Sequence, residues 1–427
     1  MDAREIVLDI LMDIEINGTF SNMALTKALK KNQFEDKQTR AFVSRLAEGV
    51  TESKITLDYI VNQYSKTKIN KCKPMIRTLL RMGAYQIMYM DAVPDHAAVG
   101  ESVKLARKHG FSGLSGFVNG VLRTIARNKK QIVYPNQEKD PVRYASVRYS
   151  MPEWLVEKFV SDYGEQAMQI IKGCFLDRPT TIRINTCKTD KETLRNMLVD
   201  AGIEVLDGDY DEAALKIRRY DFIRKVPGYK KGLFTVQDES SMCAVRAAKI
   251  KPGDIVMDVC AAPGGKTTAA AEYLQGDGHI YSMDVSMDKL SLIEENVERL
   301  GFSNVTISAH DATKPFDVPD ADVVIADVPC SGLGIIGRKN DIKYRLEPDG
   351  IKSLVTLQKE ILENISGYVK RGGTLLYSTC TINKSENEEN VEWFLKEHPE
   401  YSLEQMRLFL PGKDTCDGFF FAVLKRG

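Results

Sequence analysis

The sequence predicts a multidomain chain of three parts: an all-α bundle over residues 1–140, a small α+β module over 141–235 and an α/β domain over 236–427. Three observations carry this prediction. A chain of 427 residues is too long for one ordinary domain. Apolar residues recur at helical spacing through the first third. In the last part, near-continuous apolar strands alternate with helices, which is typical of a parallel sheet covered on both faces.

The first part is predicted to be helices joined by short connections. In REIVLDILMDIEI, residues 4–16, apolar side chains return every three or four positions, and RAFVSRLAEGVTESKITLDYIVNQY and KPMIRTLLRMGAYQIMYM repeat that spacing. PDHAAVGESVKLARKHG and GFVNGVLRTIARNKKQ predict two further helices. The segment YPNQEKDP that follows has the composition of a linker. These elements together predict a compact helical bundle.

The second part changes in character. TTIRINTCKT (180–189) predicts a strand, KETLRNMLVDAG (191–202) a helix, and a β-rich stretch continues through FTVQDESS. This pattern predicts a small α+β module of the RRM or ferredoxin-like kind. Arg183 and Asn185 alternate on one face of its first strand, which is either a solvated edge or an edge that contacts RNA.

The third part contains five predicted strands that alternate with helices: DIVMDVC (254–260), HIYSMD (279–284), NVTISAHD (304–311), ADVVIADVP (321–329) and GTLLYSTC (373–380). The terminal FFFAVLKR is expected to pair antiparallel at the edge of this sheet. In an open α/β sheet, ligands bind beyond the carboxyl ends of the strands. The functional residues are therefore expected in the segments that follow these strands.

Composition limits the class of protein. With 43% hydrophobic and 28% charged residues, an acidic amphipathic N-terminus and no apolar run of about 18 residues, the chain is expected to be a cytoplasmic enzyme without signal peptide or membrane span. Eight cysteines without a C-x-x-C pair, and five histidines, predict neither a metal site nor disulfides.

Charge is distributed unevenly along the chain. Residues 1–140 have a net charge of +7, residues 141–235 of +2 and residues 236–427 of −9, although the total is zero. This asymmetry fits a chain that holds a polyanion with its first part and performs chemistry with its last, although a solvated basic helix face gives the same count.

The loop DVCAAPGGKTT, residues 258–268, resembles a phosphate-binding P-loop except that Cys260 occupies the place of the first glycine. Acids at the strand ends argue against a triphosphate, because repeated carboxylates repel phosphates: these are Asp258, Asp284, Asp311 and Asp327. Carboxylates accept hydrogen bonds from ribose hydroxyls and from the adenine amine, and they tolerate the positive charge of S-adenosylmethionine. An ATPase is therefore disfavoured.

The loop supplies further features of a cofactor site. Pro263 stiffens the turn, Gly264 and Gly265 let the backbone approach a ligand, and the helix that begins near Lys266 offers N–H groups to a carboxylate. Capping of the following helix is an alternative role for Asp284. The predicted cofactor-binding residues are Cys260, Ala261, Ala262, Pro263, Gly264, Gly265, Lys266, Asp284, Asp311 and Asp327.

Four motifs together resemble the Sun/NOL/NOP family of RNA 5-methylcytosine methyltransferases. DVCAAPGGKTT is similar to the cofactor loop of that family, VQDESSM (236–242) to its lead-in motif, DVPCSGLG (327–334) to its base-binding motif and YSTCTINKSENE (377–388) to its nucleophile motif. VPDHAAVGESVKLAR followed by FVNGVLR resembles the NusB-like fold, an RNA-binding helical domain. The resemblance covers nearly the whole chain. One departure is Tyr344, where many relatives carry Trp, and it concerns a local packing or stacking contact.

The resemblance implies a Rossmann-like, class I methyltransferase domain that uses S-adenosylmethionine to methylate C5 of a cytosine. The implied partner is small-subunit (16S) ribosomal RNA, and a monomer is expected. Another RNA such as tRNA, or a non-catalytic RNA-binding role, remains an alternative. The RNA contacts that the resemblance implies are basic residues of the bundle, such as Arg4, Arg40, Arg77 and Arg81.

The chemistry at C5 requires a thiol. C5 of cytosine becomes nucleophilic only after a thiolate has added to C6, and the adduct must later lose the C5 proton and the thiol. Cys330 and Cys380 end two predicted strands at the same sheet edge, and the residues alone do not say which one attacks. The resemblance implies that Cys380 adds to C6 and that Cys330 assists breakdown of the adduct.

Other roles follow from these motifs. Asp327 is expected to hold the cytosine edge, and Lys266 to contact the cofactor or the base. Arg338 and Lys339 are predicted phosphate contacts. In the S-E-N-E segment, Ser385 and Glu388 predict a capping box for a helix over 386–398. A non-catalytic protein would be expected to lack a thiol or the loop glycines, and a small-molecule or protein methyltransferase has no use for two cysteines.

Overall fold

The computed structural model describes residues 2–32 and 36–427 and divides the chain into two compact units. Unit 1 comprises the chain up to Ile171 together with the segment Ile336–Arg345, and unit 2 comprises Lys172–Ile335 with Leu346–Gly427. Among the described residues, no helix is long and apolar enough to cross a membrane.

Unit 1 is helical, as predicted. Its helices up to the boundary with unit 2 are α1 (Ala3–Asn17), α2 (Ser21–Lys31), α3 (Lys37–Glu52), α4 (Lys54–Tyr64), α5 (Pro74–Tyr89), α6 (Asp95–Lys108), α7 (Ser115–Asn128), α8 (Pro141–Arg148), α9 (Glu153–Tyr163) and α10 (Ala167–Gly173). Because α5 is buried nearly all round from Ile76 to Ile87, it forms the centre of the hydrophobic core that α1 to α7 share.

Unit 2 begins with the α+β module. Its elements are β1 (Thr180–Ile184), α11 (Lys191–Asp200), β2 (Glu204–Asp207), β3 (Ala214–Arg218) and β4 (Phe234–Val236). The strands form a sheet in the order β2-β3-β1-β4 with antiparallel pairs. Leu194 and Leu198 of α11 belong to one hydrophobic cluster with Ile182, Ile184 and Phe234 of the sheet.

The second sheet follows in the chain. The strands of this sheet and the helices between them are, in chain order, α12 (Glu239–Ala247), β5 (Ile255–Asp258), α13 (Gly265–Leu274), β6 (His279–Asp284), α14 (Met287–Leu300), β7 (Val305–Ala309), β8 (Ala321–Asp327), α15 (Ile342–Arg345), α16 (Pro348–Ser366), β9 (Val369–Thr379), α17 (Glu388–Glu397), β10 (Tyr401–Phe409) and β11 (Phe419–Arg426). Of these elements, α15 belongs to unit 1. The strand order is β10-β11-β9-β8-β5-β6-β7.

This sheet confirms the predicted α/β class with one correction. The five strands β5 to β9 pair in parallel, and β11 pairs antiparallel with β9 as expected. However, β11 is not the edge strand, because β10 pairs antiparallel with its other side. The direction of travel reverses at β5, which lies between β8 and β6, and this is the position where open α/β sheets place a ligand.

The segment Ile336–Arg345 is attached to unit 1 by polar contacts. Asp341 is buried and accepts hydrogen bonds from the backbone N–H of Ser21 at 3.0 Å and from its hydroxyl at 2.8 Å. The buried Lys343 donates to the carbonyl of Glu52 at 2.9 Å. Tyr344 stands where many members of the family carry Trp, and its hydroxyl donates to the same Glu52 carbonyl at 2.6 Å. A tryptophan ring has no hydroxyl to make this bond, so Tyr344 has a polar role in addition to packing.

Candidate active site

The cofactor loop joins β5 to α13. Gly264 has a φ of 95° immediately before the first residue of α13, and a Cβ there would lie 3.3 Å from Cα of Ile293. A side chain at this position would be strained by the backbone angle and would also press against Ile293. The peptide between Ala262 and Pro263 is cis. The first N–H groups of α13, which have no partner within the helix itself, follow directly after this turn.

The acids at the strand ends have different surroundings. Asp284 is buried, and its two carboxylate oxygens accept from the backbone N–H groups of Ala262 at 3.1 Å and of Ser286 at 3.0 Å. Asp284 thus holds the loop rather than capping α14, since no side chain in the described part of the chain caps that helix. Asp311 is exposed, and hydrogen bonds from the Thr313 backbone and hydroxyl hold its pKa below the ordinary value.

Asp258 lies inside the protein rather than at the surface of the site. It is fully buried, and one carboxylate oxygen accepts from the Thr267 hydroxyl at 2.7 Å. The other oxygen has no hydrogen-bond partner among residues 2–32 and 36–427. Burial raises the pKa of Asp258 to about 7. Burial also raises the pKa of the neighbouring Cys260 thiol, which fits a packing residue rather than a reactive one.

Asp327 and Lys266 form an ion pair at the end of β8. Lys266 Nζ lies 2.6 Å from one carboxylate oxygen of Asp327, and the Ser378 hydroxyl donates to the other at 2.9 Å. The ammonium group of Lys266 also lies 5.0 Å from the centre of the Phe419 ring. These contacts fix the direction of the Asp327 carboxylate, whose side chain keeps 34% exposure. Lys266 is therefore placed as the partner of Asp327.

The two predicted cysteines are in contact. Sγ of Cys330 lies 3.3 Å from Sγ of Cys380, and both residues are half-buried. Parallel pairing of β8 with β9 brings Asp327 opposite Ser378, and each strand continues directly into the segment with its cysteine. The hydrogen bond with Cys380, followed by burial, raises the pKa of the Cys330 thiol well above its ordinary value. Either thiol can donate the hydrogen bond between the two sulfurs.

The S-E-N-E segment corrects a prediction. It does not form a capping box for a helix over 386–398: residues 384–386 form a single 3₁₀ turn, α17 begins at Glu388, and no described side chain caps its start. Ser385 instead donates its hydroxyl to the Asn383 side chain at 3.0 Å. Glu386, which the sequence motifs did not single out, is completely buried and accepts the backbone N–H of Ser331 at 2.8 Å.

The predicted RNA contacts of the α+β module are also corrected. Arg183 is buried and donates to Glu272 at 2.9 Å, while buried Asn185 donates to the carbonyls of Gly232 and Leu300 at 3.0 Å. Their polar groups are engaged by the protein itself, so neither a solvated nor an RNA-facing edge describes them. Both residues join the α+β module to the large sheet within unit 2.

The predicted basic contacts of unit 1 fall into two groups. Arg81 is buried between Glu15 and Asp58, and Arg77 pairs with Glu15, so these two are internal ion pairs. The Nε of Arg4 donates to Gln86 at 2.7 Å, and Arg40 is half-buried. In contrast, Arg338 and Lys339 are exposed on the segment Ile336–Arg345.

Helices α6 and α7 carry cations that the sequence did not single out. Residues 95–130 contain seven lysines and arginines against two acids. Arg123 and Arg127 are exposed on one face of α7 and line a groove with His96 and Asn119 of about 550 Å³. In the described part of the chain, no carboxylate pairs with either arginine. Their spacing of four residues, which places them on one helix face, was the available signal.

Comparisons with known proteins agree with this architecture. The family model described as 16S rRNA methyltransferase RsmB/F matches residues 245–425, the NusB family model matches 1–127, and the ferredoxin-like domain model of RsmF/B-like methyltransferases matches 151–221. The probable ribosomal RNA small subunit methyltransferase B of Bacillus subtilis is 37% identical over 99% of this chain and 98% of its own length. The chain belongs to the RsmB/F methyltransferase family.

Two further relatives cover the whole chain. The probable ribosomal RNA small subunit methyltransferase B of Synechocystis is 34% identical over 100% of both chains. The crystal structure of PH0851 superposes with a TM-score of 0.85 at 27% identity, over 100% of this chain and 99% of that one. This RsmB/F member is thus an S-adenosylmethionine-dependent RNA methyltransferase with NusB, ferredoxin-like and Rossmann-like parts. The three family matches lie inside the predicted parts 1–140, 141–235 and 236–427, whose boundaries stay a prediction.

Proposed function

We propose that this RsmB/F member methylates C5 of a cytosine in 16S ribosomal RNA through a covalent adduct between Cys380 and C6. The observation that carries the proposal is the pair of thiols 3.3 Å apart at the end of β8 and β9. A methyltransferase that acts on oxygen or nitrogen has no step for two adjacent thiols. Both bacterial relatives are named probable ribosomal RNA small subunit methyltransferase B, and this name supports the choice of RNA as substrate.

The residues of the loop fit S-adenosylmethionine. Asp284 is held by two backbone N–H groups, and its oxygens have further acceptor capacity for ribose hydroxyls. Gly264 opens the turn, and the N–H groups at the start of α13 suit the carboxylate of the amino-acid moiety. Exposed Asp311 is the proposed acceptor for the adenine amine. When bound, S-adenosylmethionine supplies an electrophilic methyl group.

The proposed steps divide between the two cysteines. The Cys380 thiolate forms a bond to C6, the C5–C6 double bond opens, and C5 becomes the nucleophile that accepts the methyl group. Afterwards a base removes the C5 proton, the double bond forms again and the bond from C6 to sulfur breaks. The Cys330 thiol, in contact with that sulfur, stabilises the departing thiolate with its S–H group.

Asp327 is the proposed base-recognition residue. Its carboxylate is oriented by Lys266 and Ser378, and it can still accept from the cytosine amine and from a protonated N3. Protonation at N3 draws electrons away from C6 and therefore favours addition of the Cys380 thiolate. In this arrangement Lys266 acts through Asp327.

We further propose that phosphates are held by exposed cations of unit 1. Arg123 and Arg127 form one pair on α7, and Arg338 and Lys339 form another on the segment Ile336–Arg345. A phosphate contact needs an accessible cation that no carboxylate already neutralises, and the two arginines of α7 meet that requirement among the described residues.

The enzyme is proposed to act as a cytoplasmic monomer, and light scattering of the purified chain tests the monomer.

The test uses single cysteine variants with 16S ribosomal RNA and S-adenosylmethionine. Cys380→Ala is expected to be inactive and to form no adduct, while Cys330→Ala is expected to accumulate a protein–RNA complex that survives denaturation. Exposed Cys187 provides the matched control, since Cys187→Ala should leave turnover unchanged. An exchange of the two phenotypes would reverse the assigned roles, and full activity of both variants would refute the covalent mechanism. Equal methylation of tRNA would refute the choice of RNA.

A further inference from the structure

The buried carboxylate of Glu386 connects the two segments that carry the thiols. One oxygen accepts the backbone N–H of Ser331, the residue after Cys330, at 2.8 Å and the Gln358 amide at 3.0 Å. The other accepts the Ser331 hydroxyl and, at 2.8 Å, the Asn383 amide. Four donors thus surround a carboxylate that is completely buried.

Both cysteines lie next to residues held by this network. Gln358 also donates to the carbonyl of Pro329 at 2.8 Å, so the residues on each side of Cys330 are anchored. The Ser331 hydroxyl lies 2.7 Å from the hydroxyl of Thr381, the residue after Cys380. A direct backbone bond adds to these contacts, because Gly334 N–H donates to the Cys380 carbonyl at 3.1 Å.

None of the four donors of Glu386 carries a formal charge. A buried carboxylate is expensive unless its hydrogen bonds are complete, and neutral donors offset that cost only when their geometry is maintained. Each amide donor is itself held by a further contact: the Gln358 carbonyl accepts from Asn390 at 2.8 Å, and the Asn383 carbonyl accepts from Ser385 at 3.0 Å. The amides of Gln358 and Asn383 therefore cannot rotate without loss of a second hydrogen bond.

We propose that Glu386 is a positioning residue that sets the separation and orientation of the Cys330 and Cys380 thiols. Its hydrogen bonds go to Ser331, Gln358 and Asn383, and it acts on the thiols through these three residues. This inference rests on the proposed roles of the two cysteines for its catalytic consequence. Its geometric consequence, the approach of the two sulfur atoms, is independent of any RNA substrate.

The geometric consequence is tested with a thiol oxidant in the absence of RNA. Diamide converts two adjacent thiols into a disulfide, as both sulfurs are oxidised, their two protons are released to the azo nitrogens, and the N=N bond is reduced to a hydrazine. With sulfurs 3.3 Å apart, the wild-type protein should form the Cys330–Cys380 disulfide quickly, which peptide mass analysis identifies. Glu386→Gln introduces an amide NH₂ among four donors, and we expect the disulfide to form about tenfold more slowly.

Turnover provides the second readout. In Glu386→Gln, kcat should fall by about 10²-fold while the KM for S-adenosylmethionine stays within about twofold, because the loop from Cys260 to Lys266 is not part of the network. The fraction of RNA held as covalent adduct should rise, as is expected also for Cys330→Ala. Glu389→Gln is the matched control: Glu389 is exposed three residues further along, and this variant should behave as wild type in every measurement.

The outcomes separate the positioning role from the proposed function. Disulfide formation at the wild-type rate in folded Glu386→Gln overturns the positioning role, whatever happens to turnover. Slower disulfide formation with unchanged adduct and turnover supports the positioning role and contradicts the assigned roles of the cysteines. If Glu386→Gln fails to fold, Ser331→Ala removes only the hydroxyl that joins Glu386 to Thr381. That variant should slow disulfide formation about threefold, and a wild-type rate there also overturns the proposal.

Discussion

Replacement of Asp258 by asparagine should change the pH dependence of stability in unit 2. Burial raises the pKa of the Asp258 carboxyl to about 7 in the folded protein, whereas the unfolded chain has the ordinary pKa of 3.8. Between these values the folded state binds more protons than the unfolded state, so the free energy of unfolding falls as pH rises. Over nearly two pH units between pH 5 and pH 8, the Asp258 carboxyl is protonated in the folded protein but ionised in the unfolded chain. Each of these pH units lowers the free energy of unfolding by about 1.4 kcal/mol, so the loss is about 3 kcal/mol.

Asparagine cannot ionise, and Asp258→Asn should therefore lose this part of the pH dependence. Its amide oxygen can still accept from Thr267, while its NH₂ replaces the carboxylate oxygen that has no partner among the described residues. The variant should be less stable than wild type at pH 5, because a buried amide donor lacks an acceptor, and it should approach or exceed wild type at pH 8.

The measurement is urea-induced unfolding at pH 5, 6, 7 and 8, followed by hydrogen exchange of peptides from β5 and β8 so that unit 2 is observed by itself. Exposed Asp320→Asn is the matched control and should follow wild type at every pH. A difference in stability between wild type and Asp258→Asn that stays constant across these pH values would refute the reasoning. A constant difference would mean that the Asp258 carboxyl has the same pKa in the folded protein as in the unfolded chain.

Two further predictions concern unit 1. Asp341→Ala should destabilise it by about 3 kcal/mol, because the buried Ser21 N–H and hydroxyl lose their acceptor and the Arg345 guanidinium loses its carboxylate partner. Hydrogen exchange of peptides from α1 and α2 measures the loss, and unchanged protection would contradict it. The double variant Arg123→Ala, Arg127→Ala should bind RNA more weakly than wild type. The slope of log affinity against log salt concentration should become shallower by about 0.8 for each phosphate that the variant no longer binds. An unchanged slope would exclude both residues from the RNA-binding surface.

The general position of the active site was predictable from sequence because it depends on few rules. Parallel strands end at one edge of a sheet, and the order of strands and helices identified those ends at Asp284, Asp327 and Cys330. The glycines of the loop were predictable for the same reason, since a turn between a strand and a helix has few backbone solutions. The structure adds the tight approach of Gly264 to Ile293, which depends on how α13 packs on α14.

Polar residues with distant partners were not predictable in this way. Arg183 alternates with apolar neighbours as a surface residue does, but its carboxylate partner Glu272 lies 89 positions further along the chain. Arg81 has the same pattern with Asp58 and Glu15. Sequence spacing shows which face of an element a residue occupies, whereas burial of a charge depends on what packs against that face. Local patterns therefore assign such residues to solvent by default.

The contact between the two thiols lies between these cases. The sequence places Cys330 and Cys380 beyond neighbouring strand ends, but their separation depends on the register of β8 against β9, which pairs Asp327 with Ser378. A shift by one residue would move the side chains of a strand to the opposite face and separate the sulfurs, as well as Asp327 from the Ser378 hydroxyl. The buried hydrogen bonds of Glu386 and the backbone bond from Gly334 to Cys380 oppose such a shift beyond the last paired residues. The polar residues after Cys380 therefore hold the two cysteine segments in the register that β8 and β9 set along the strands. This role accounts for the position of the completely buried Glu386 carboxylate close to the thiols.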